Sequence, residues 1–144
     1  MIARDIKSGW DDLRIYRQLR RFAKHYKLSP NLFCTFVVDF EGPGDLSEVG
    51  FEKYLWRRLQ SLSDKHYWSG EKRDRRVSDD PESAAFSLSF EGEGFFAVGL
   101  HPHASRSARR FVRPAIVFNL HDQFEQLRAQ GLYENCEQRF WRAI

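Results

Sequence analysis

Through the stretch "SGWDDLRIYRQLRRFAKHYK", apolar residues return every three or four positions: Trp10, Leu13, Tyr16, Leu19, Phe22 and Tyr26. A helix of 3.6 residues per turn brings these to one side, so the period predicts an amphipathic helix. Ser8 and Asp11 have the spacing of an N-terminal cap. Arg14, Arg17, Arg20, Arg21 and Lys24 fall mostly off the stripe and read as a solvated basic face. Ser29-Pro30 ends the helix, because a proline pushes the preceding residue out of helical geometry. "NLFCTFVVDF" is nearly continuous in apolar and β-branched residues, as a buried strand is. After the turn "EGPGD", Asp45 and Glu48 open a second helix whose inner face is marked by Phe51, Leu55, Leu62 and His66. Residues 69–83 are polar, charged and aperiodic, which predicts an exposed loop. "AAFSLSF" alternates, "EGEG" reverses the chain and "FFAVGL" returns, which together predict a β-hairpin. "PAIVFNL" is a further strand. Asn119 is placed to cap the next helix, with Asp122 in its first turn, Phe124 and Leu127 along its face and Gly131 as its stop. "LYENCEQRFWRAI" reads as a last helical segment with Tyr133, Cys136 and Phe140 aligned.

This order predicts an α/β (α+β) domain over residues 1–144: a small, mostly antiparallel sheet of about four strands covered by helices. Composition supports a packed core. Of 144 residues, 42% are hydrophobic and 13 are Phe, which argues against disorder. The two cysteines, Cys34 and Cys136, form no CxxC pair and read as reduced, buried thiols. "MIARDIKSGW" holds no apolar signal segment, and no apolar run reaches the roughly 18 residues that a membrane span needs. No membrane association and a cytoplasmic location are therefore expected. A net charge of +3 permits an anionic partner without requiring one.

Candidate chemistry concentrates in "GLHPHASRSARRFVRPAIVFNL". His101 and His103 flank Pro102, which favours an extended backbone at His101. Residues two apart in an extended run project to one side, so both imidazoles are expected at one pocket. Imidazole is the usual axial ligand of haem, and guanidinium groups bind carboxylates in bidentate fashion. A histidine followed by Arg106, Arg109 and Arg110 thus suits a haem, whose iron takes nitrogen and whose propionates take cations. The plainer alternative is a basic loop whose histidines titrate without a role. His121 is a further ligand candidate or a simple cap, while His25 and His66 read as fillers of half-buried helix faces. GxGxxG, P-loop, GxSxG and HExxH motifs are absent. Adjacent carboxylates such as Asp11-Asp12 diverge on a helix and make poor acid–base pairs. A nucleic-acid-binding module is a rival reading from "EKRDRR" and "SRSARRFVR", although the first is interleaved with acids.

Four segments, "ARDIKSGWDDLRI", "RLQSLSDKHYW", "DRRVSDDPESAAFSLSFEGEGFFAVGLHPHASRSARRF" and "RPAIVFNLHDQFEQLR", resemble the YqcI/YcgG family, most of all its GntA branch, which contains the guanitoxin-pathway N-hydroxylase. The resemblance runs over roughly residues 3–135 and is most specific from Phe95 to Arg128. It implies a haem-dependent oxygenase that hydroxylates a nitrogen of a small guanidino or amino compound. Carried onto this chain, it makes His101 the first candidate for the metal's axial ligand and His103 the second. Arg106, Arg109 and Arg110 become candidates for propionate or substrate-anion contacts. The family's upstream Phe-Pro-Cys segment and its downstream Asn-Pro and Ser-Glu-Ala-Arg-like segments have no counterpart here. The expectation is therefore a truncated form, with a non-catalytic homologue that binds a small anion or a protein partner as the alternative.

Overall fold

The computed structural model describes residues 1–29, 34–76, 78, 80, 82 and 87–129. Among these, the elements in chain order are β1 (Ile2–Asp5), α1 (Asp12–Leu28), β2 (Thr35–Gly42), α2 (Glu48–Trp68), β3 (Leu88–Phe90), β4 (Glu93–Leu100), β5 (Ala115–Leu120) and α3 (His121–Ala129). The five strands form one sheet in the order β1-β2-β5-β4-β3. Pairing is antiparallel from β2 through β5 and β4 to β3, and parallel only between β1 and β2. The α+β class and the mostly antiparallel sheet agree with the sequence expectation, while the strand count rises from about four to five.

The additional strand is β1. Its four residues bury one side chain, Ala3, and so carry no readable period. Backbone bonds hold it instead. The Met1 ammonium donates to the Val37 carbonyl at 2.7 Å, and the Asp39 amide donates to the Met1 carbonyl at 2.9 Å.

Register decides which side chains share a face. Phe36 lies opposite Phe118, Val38 opposite Ile116, Phe95 opposite Leu120 and Gly99 opposite Ile116. Helices α1 and α2 cover the face made by these residues. The Phe22 ring of α1 sits 5.7 Å from Phe36 and 6.1 Å from Phe95. Phe40, Phe90, Phe95 and Phe118 are fully buried in this layer, and each contributes about 1.5–3 kcal/mol of burial free energy. Helix α3 meets β4 through Phe124, whose ring lies 5.7 Å from Phe96.

Several local expectations are corrected. Helix α1 begins only at Asp12, so Trp10 precedes it and is 74% exposed, and Leu13 is exposed too. Ile15 and Ala23 take their places on the inward stripe because Asp12 faces inward, towards Arg58. Asp11 makes no side-chain cap bond within the helix; its carboxylate accepts from the Arg4 amide at 2.7 Å. Helix α2 is capped by Ser47, whose Oγ accepts from the Gly50 amide at 3.1 Å, and Phe51, Leu62 and His66 are buried as expected. Glu91 and Gly92 both have positive φ, 52° and 76°, as the two-residue turn of a hairpin requires. The polar stretch after α2 is not uniformly exposed, since Asp74 is buried against the hairpin. Asn119 stays in β5 and accepts from Thr35 Oγ1 rather than capping α3. The last helical segment, the Gly131 stop and Cys136 lie outside the described residues.

Candidate functional site

β4 delivers its last residue, Leu100, to a loop that closes on itself. The His101 amide donates to the Arg109 carbonyl at 3.0 Å. The His101 carbonyl accepts from the amides of Phe111 at 3.3 Å and Ala104 at 3.4 Å. The chain therefore turns at Pro102 instead of continuing extended, and the two imidazoles part: His101 is 3% exposed, whereas His103 is exposed to solvent. The expectation that both face one pocket is corrected, because a hydrogen-bonded turn cancels the two-residue alternation.

The His101 ring stacks on Phe51 of α2, with centroids 4.3 Å apart and planes 20° from parallel. Its Nδ1 is buried without a hydrogen-bond partner. Burial pushes its pKa below the usual imidazole value, Glu48 opposes the shift, and His103 and Arg109 add to it. The ring is thus neutral near pH 7, the form in which a nitrogen lone pair is open to a metal.

Arg109 ends a single 3-10 turn, Ser107–Arg109, and swings back beside His101. Its Nε is buried with no partner. Burial, then repulsion from Arg106, lowers its pKa, while Glu48 and Glu52 work the other way. Arg106 is exposed. Arg110 is exposed too and donates from Nε to the Ala104 carbonyl at 2.9 Å, so it fastens the loop. Ser105 fastens the same loop to α2: its Oγ and amide donate to Glu48 at 2.8 and 3.2 Å, and these bonds hold the Glu48 pKa down. Of the five residues singled out in the sequence, the fold brings together His101 and Arg109; His103, Arg106 and Arg110 stay outside the hollow beside them. His121 also stays outside, half-buried 5.2 Å from the Phe96 ring, and His25 is exposed rather than half-buried.

That hollow is a cleft of about 440 Å³ between α2 and the sheet. Phe51, Leu55, Trp56 and Leu59 form one wall, and the backbone of Ala97–Gly99 with Ser87 and Leu88 forms the other. Trp56, Leu59, Ser87 and Leu88 also line a neighbouring hollow of about 610 Å³, so the two make one groove with His101 at one end and His66 at the other. Gly99 sets the depth of the first hollow. A Cβ there would come within 2.7 Å of Phe51 and 2.8 Å of Leu55. The wall residues were not singled out as a site in the sequence, but a glycine inside a strand pattern signals close approach of another element, and Gly99 carried that signal.

A family model described as the YqcI/YcgG family matches residues 1–141. The chain belongs to the YqcI/YcgG family. No curated protein and no solved structure matches it. In this YqcI/YcgG chain, two of the segments that carried the resemblance build the groove: "RLQSLSDKHYW" is the C-terminal half of α2, and "FFAVGLHPHASRSARR" is β4 with the arginine loop. Among the described residues, no group of three or more His, Cys, Asp and Glu side chains is arranged to hold a metal ion. Among the same residues, no helix is long and apolar enough to cross a membrane.

Proposed function

We propose that this chain binds haem at the His101 end of the groove and hydroxylates a nitrogen of a small guanidino or amino compound, as its likeness to the GntA branch implies. The observation that carries the reading is the buried, neutral imidazole of His101, with an unpartnered ring nitrogen beside an apolar cleft. The residues fit the cofactor. His101 offers nitrogen, Phe51 and Leu55 offer flat and aliphatic contact, and Arg109, with its Nε unpartnered, offers a cation to a propionate. Bound haem supplies the iron centre at which dioxygen, or a reduced form of it, is activated.

The chain's own residues then have separate tasks. Phe51 fixes the plane of the His101 ring by stacking on it. The backbone bonds from Arg109 and Phe111 hold the His101 main chain, so the ring is positioned before any ligand arrives. The apolar side chains of Phe51, Leu55 and Leu59 on α2 would limit water around the cofactor.

Adding haemin to the purified full chain tests this reading. A Soret band is expected, strongly weakened in His101→Ala and retained in His103→Ala. A band that survives His101→Ala, or no band in the unmodified chain, removes the haem assignment. A non-catalytic homologue that holds a small anion is supported by the same Arg109 Nε. It predicts that haem-free protein binds inorganic phosphate and that Arg109→Met abolishes this. The nucleic-acid reading is weaker, because within its two basic segments Arg76 is engaged by Asp74, Glu93 and Asp122, Arg113 by Asp39, and Arg110 by the Ala104 carbonyl.

A further inference from the structure

The far end of the groove differs in chemistry from the end that holds His101. His66, on the last turns of α2, is 6% exposed, and its buried ring nitrogens have no side-chain hydrogen-bond partner. Glu71 Oε2 lies 3.9 Å from His66 Nδ1, too far for a hydrogen bond, and is likewise buried and unpartnered. The Ser87 hydroxyl, where the two hollows meet, is a third such group. Buried polar groups in folded proteins are nearly always satisfied, so three at one place mark a position where something else supplies the bonds.

The charge at this end selects the kind of ligand. Among the described residues that line it, Glu71 and Asp64 are carboxylates and Arg73 is a cation. Trp56 and Tyr67 line the same hollow and present aromatic rings, which attract organic cations over their faces. Burial, and then the neighbouring Glu91, raise the Glu71 pKa, while Arg20 opposes them. Arg20 pairs with Glu71 through Oε1, and the opposite oxygen has no hydrogen-bond partner.

We propose that the His66–Glu71 end of the groove is a binding site for a small organic cation with N–H donors, which Glu71 accepts, His66 orients and Trp56 covers. The proposal rests on the oxygenase reading in one respect, since it names where that reading's nitrogen compound would dock. Binding itself requires no haem.

The test uses the full chain without haem, titrated calorimetrically near neutral pH with n-butylammonium, and with n-butanol and butyrate as neutral and anionic isosteres. Saturable binding of the ammonium is expected, at least about tenfold tighter than either isostere. Glu71→Gln should weaken it about tenfold or more, the loss typical of one charge-assisted hydrogen bond. Because Glu71→Gln also disturbs the ion pair with Arg20, Arg20→Met is the control. It breaks the same pair but keeps the carboxylate, and should bind the ammonium as tightly as the unmodified chain or more so. Butanol binding as well as the ammonium, or Glu71→Gln and Arg20→Met weakening it alike, overturns the proposal. A chain that shows the haem Soret band yet ignores the ammonium sinks this site alone; ammonium binding with no Soret band sinks only the haem assignment.

Discussion

Asp74 shows how much one residue in a polar stretch can hold. It is 4% exposed. Its carboxylate accepts from the Gly94 amide at 2.9 Å, from the Arg76 amide at 2.9 Å and from Arg76 Nη2 at 2.7 Å. Its own amide donates to Ser89 Oγ at 3.2 Å, so both strands of the β3–β4 hairpin are tied to it. Arg76 then reaches on to Glu93 and Asp122. Burial works against ionisation of Asp74, but the bonds from Arg76 and Gly94 hold its pKa down to about 2. A folded pKa below the unfolded value of 3.8 stabilises the fold above that value. The contribution, about 2 kcal/mol, is lost as the pH falls through roughly 5 to 2. Asp74→Asn places an amide where the Gly94 amide and the amide and guanidinium of Arg76 converge. It is expected to lower stability at pH 7 by about 2 kcal/mol and to flatten the acid limb below pH 4 in urea melts. An unchanged acid limb would contradict this role. The burial was not legible in "EKRDRRVSDD", because the Gly94 amide and the Ser89 hydroxyl that meet Asp74 belong to a hairpin further along the chain, and only the Arg76 partner is local.

At the scale of elements, the groove exists because α2 is seated closely on β4 and locked to α1. The lock is an ion pair: Arg58 Nε lies 3.2 Å from Asp12 Oδ1, both side chains are buried, and Arg58 Nη1 also donates to the Ile6 carbonyl at 3.0 Å. Removing one partner of a buried pair strands the other charge, a loss of about 3–5 kcal/mol. Asp12→Ala should show a loss of that order in denaturant melts. The double variant Asp12→Ala with Arg58→Met should recover part of it, because no charge is then left unpaired. Gly99 is the seat itself. Gly99→Val would drive a branched side chain into Phe51 and Leu55, and is expected to displace α2 and abolish haemin binding while Gly44→Val, which meets nothing within 4 Å, does not. The second helix, the hairpin and β5 could be read from their periods because one face of each is packed and alternates or repeats accordingly. β1 could not, because main-chain pairing with β2 holds it. The inward position of Asp12 was also hidden, since a charged residue beside the apolar stripe reads as solvent-facing until its partner 46 positions away is known.

The whole molecule carries two neutral imidazoles in its interior, at opposite ends of one groove, and this fixes how its stability must vary with pH. Burial is the main cause of the lowered pKa at both. Around His66, Arg73 and Arg20 push the same way and Glu91 opposes them; around His101, His103 and Arg109 push the same way and Glu48 opposes them. A histidine whose pKa is lower folded than unfolded is protonated first in the unfolded chain. Stability is therefore full above the unfolded value of 6.5 and declines as the pH falls through it. The slope is at most about 1.4 kcal/mol per pH unit for each proton of difference, and ends once the folded ring also charges. Asp12, Glu71 and Glu93, whose pKa values burial raises, act in the opposite sense only nearer the carboxylate range, and Asp74 adds its own loss lower still. The expected profile is level from pH 8 to 7, falls between about 6.5 and 5, and falls again below 4. His66→Gln and His101→Gln should each remove part of the first decline and leave the second intact. A profile that stays level from pH 7 to 5, or an upper decline that persists in the double glutamine variant, would mean that the groove does not hold its imidazoles neutral. The neutral nitrogen on which haem binding at His101 depends would then be missing.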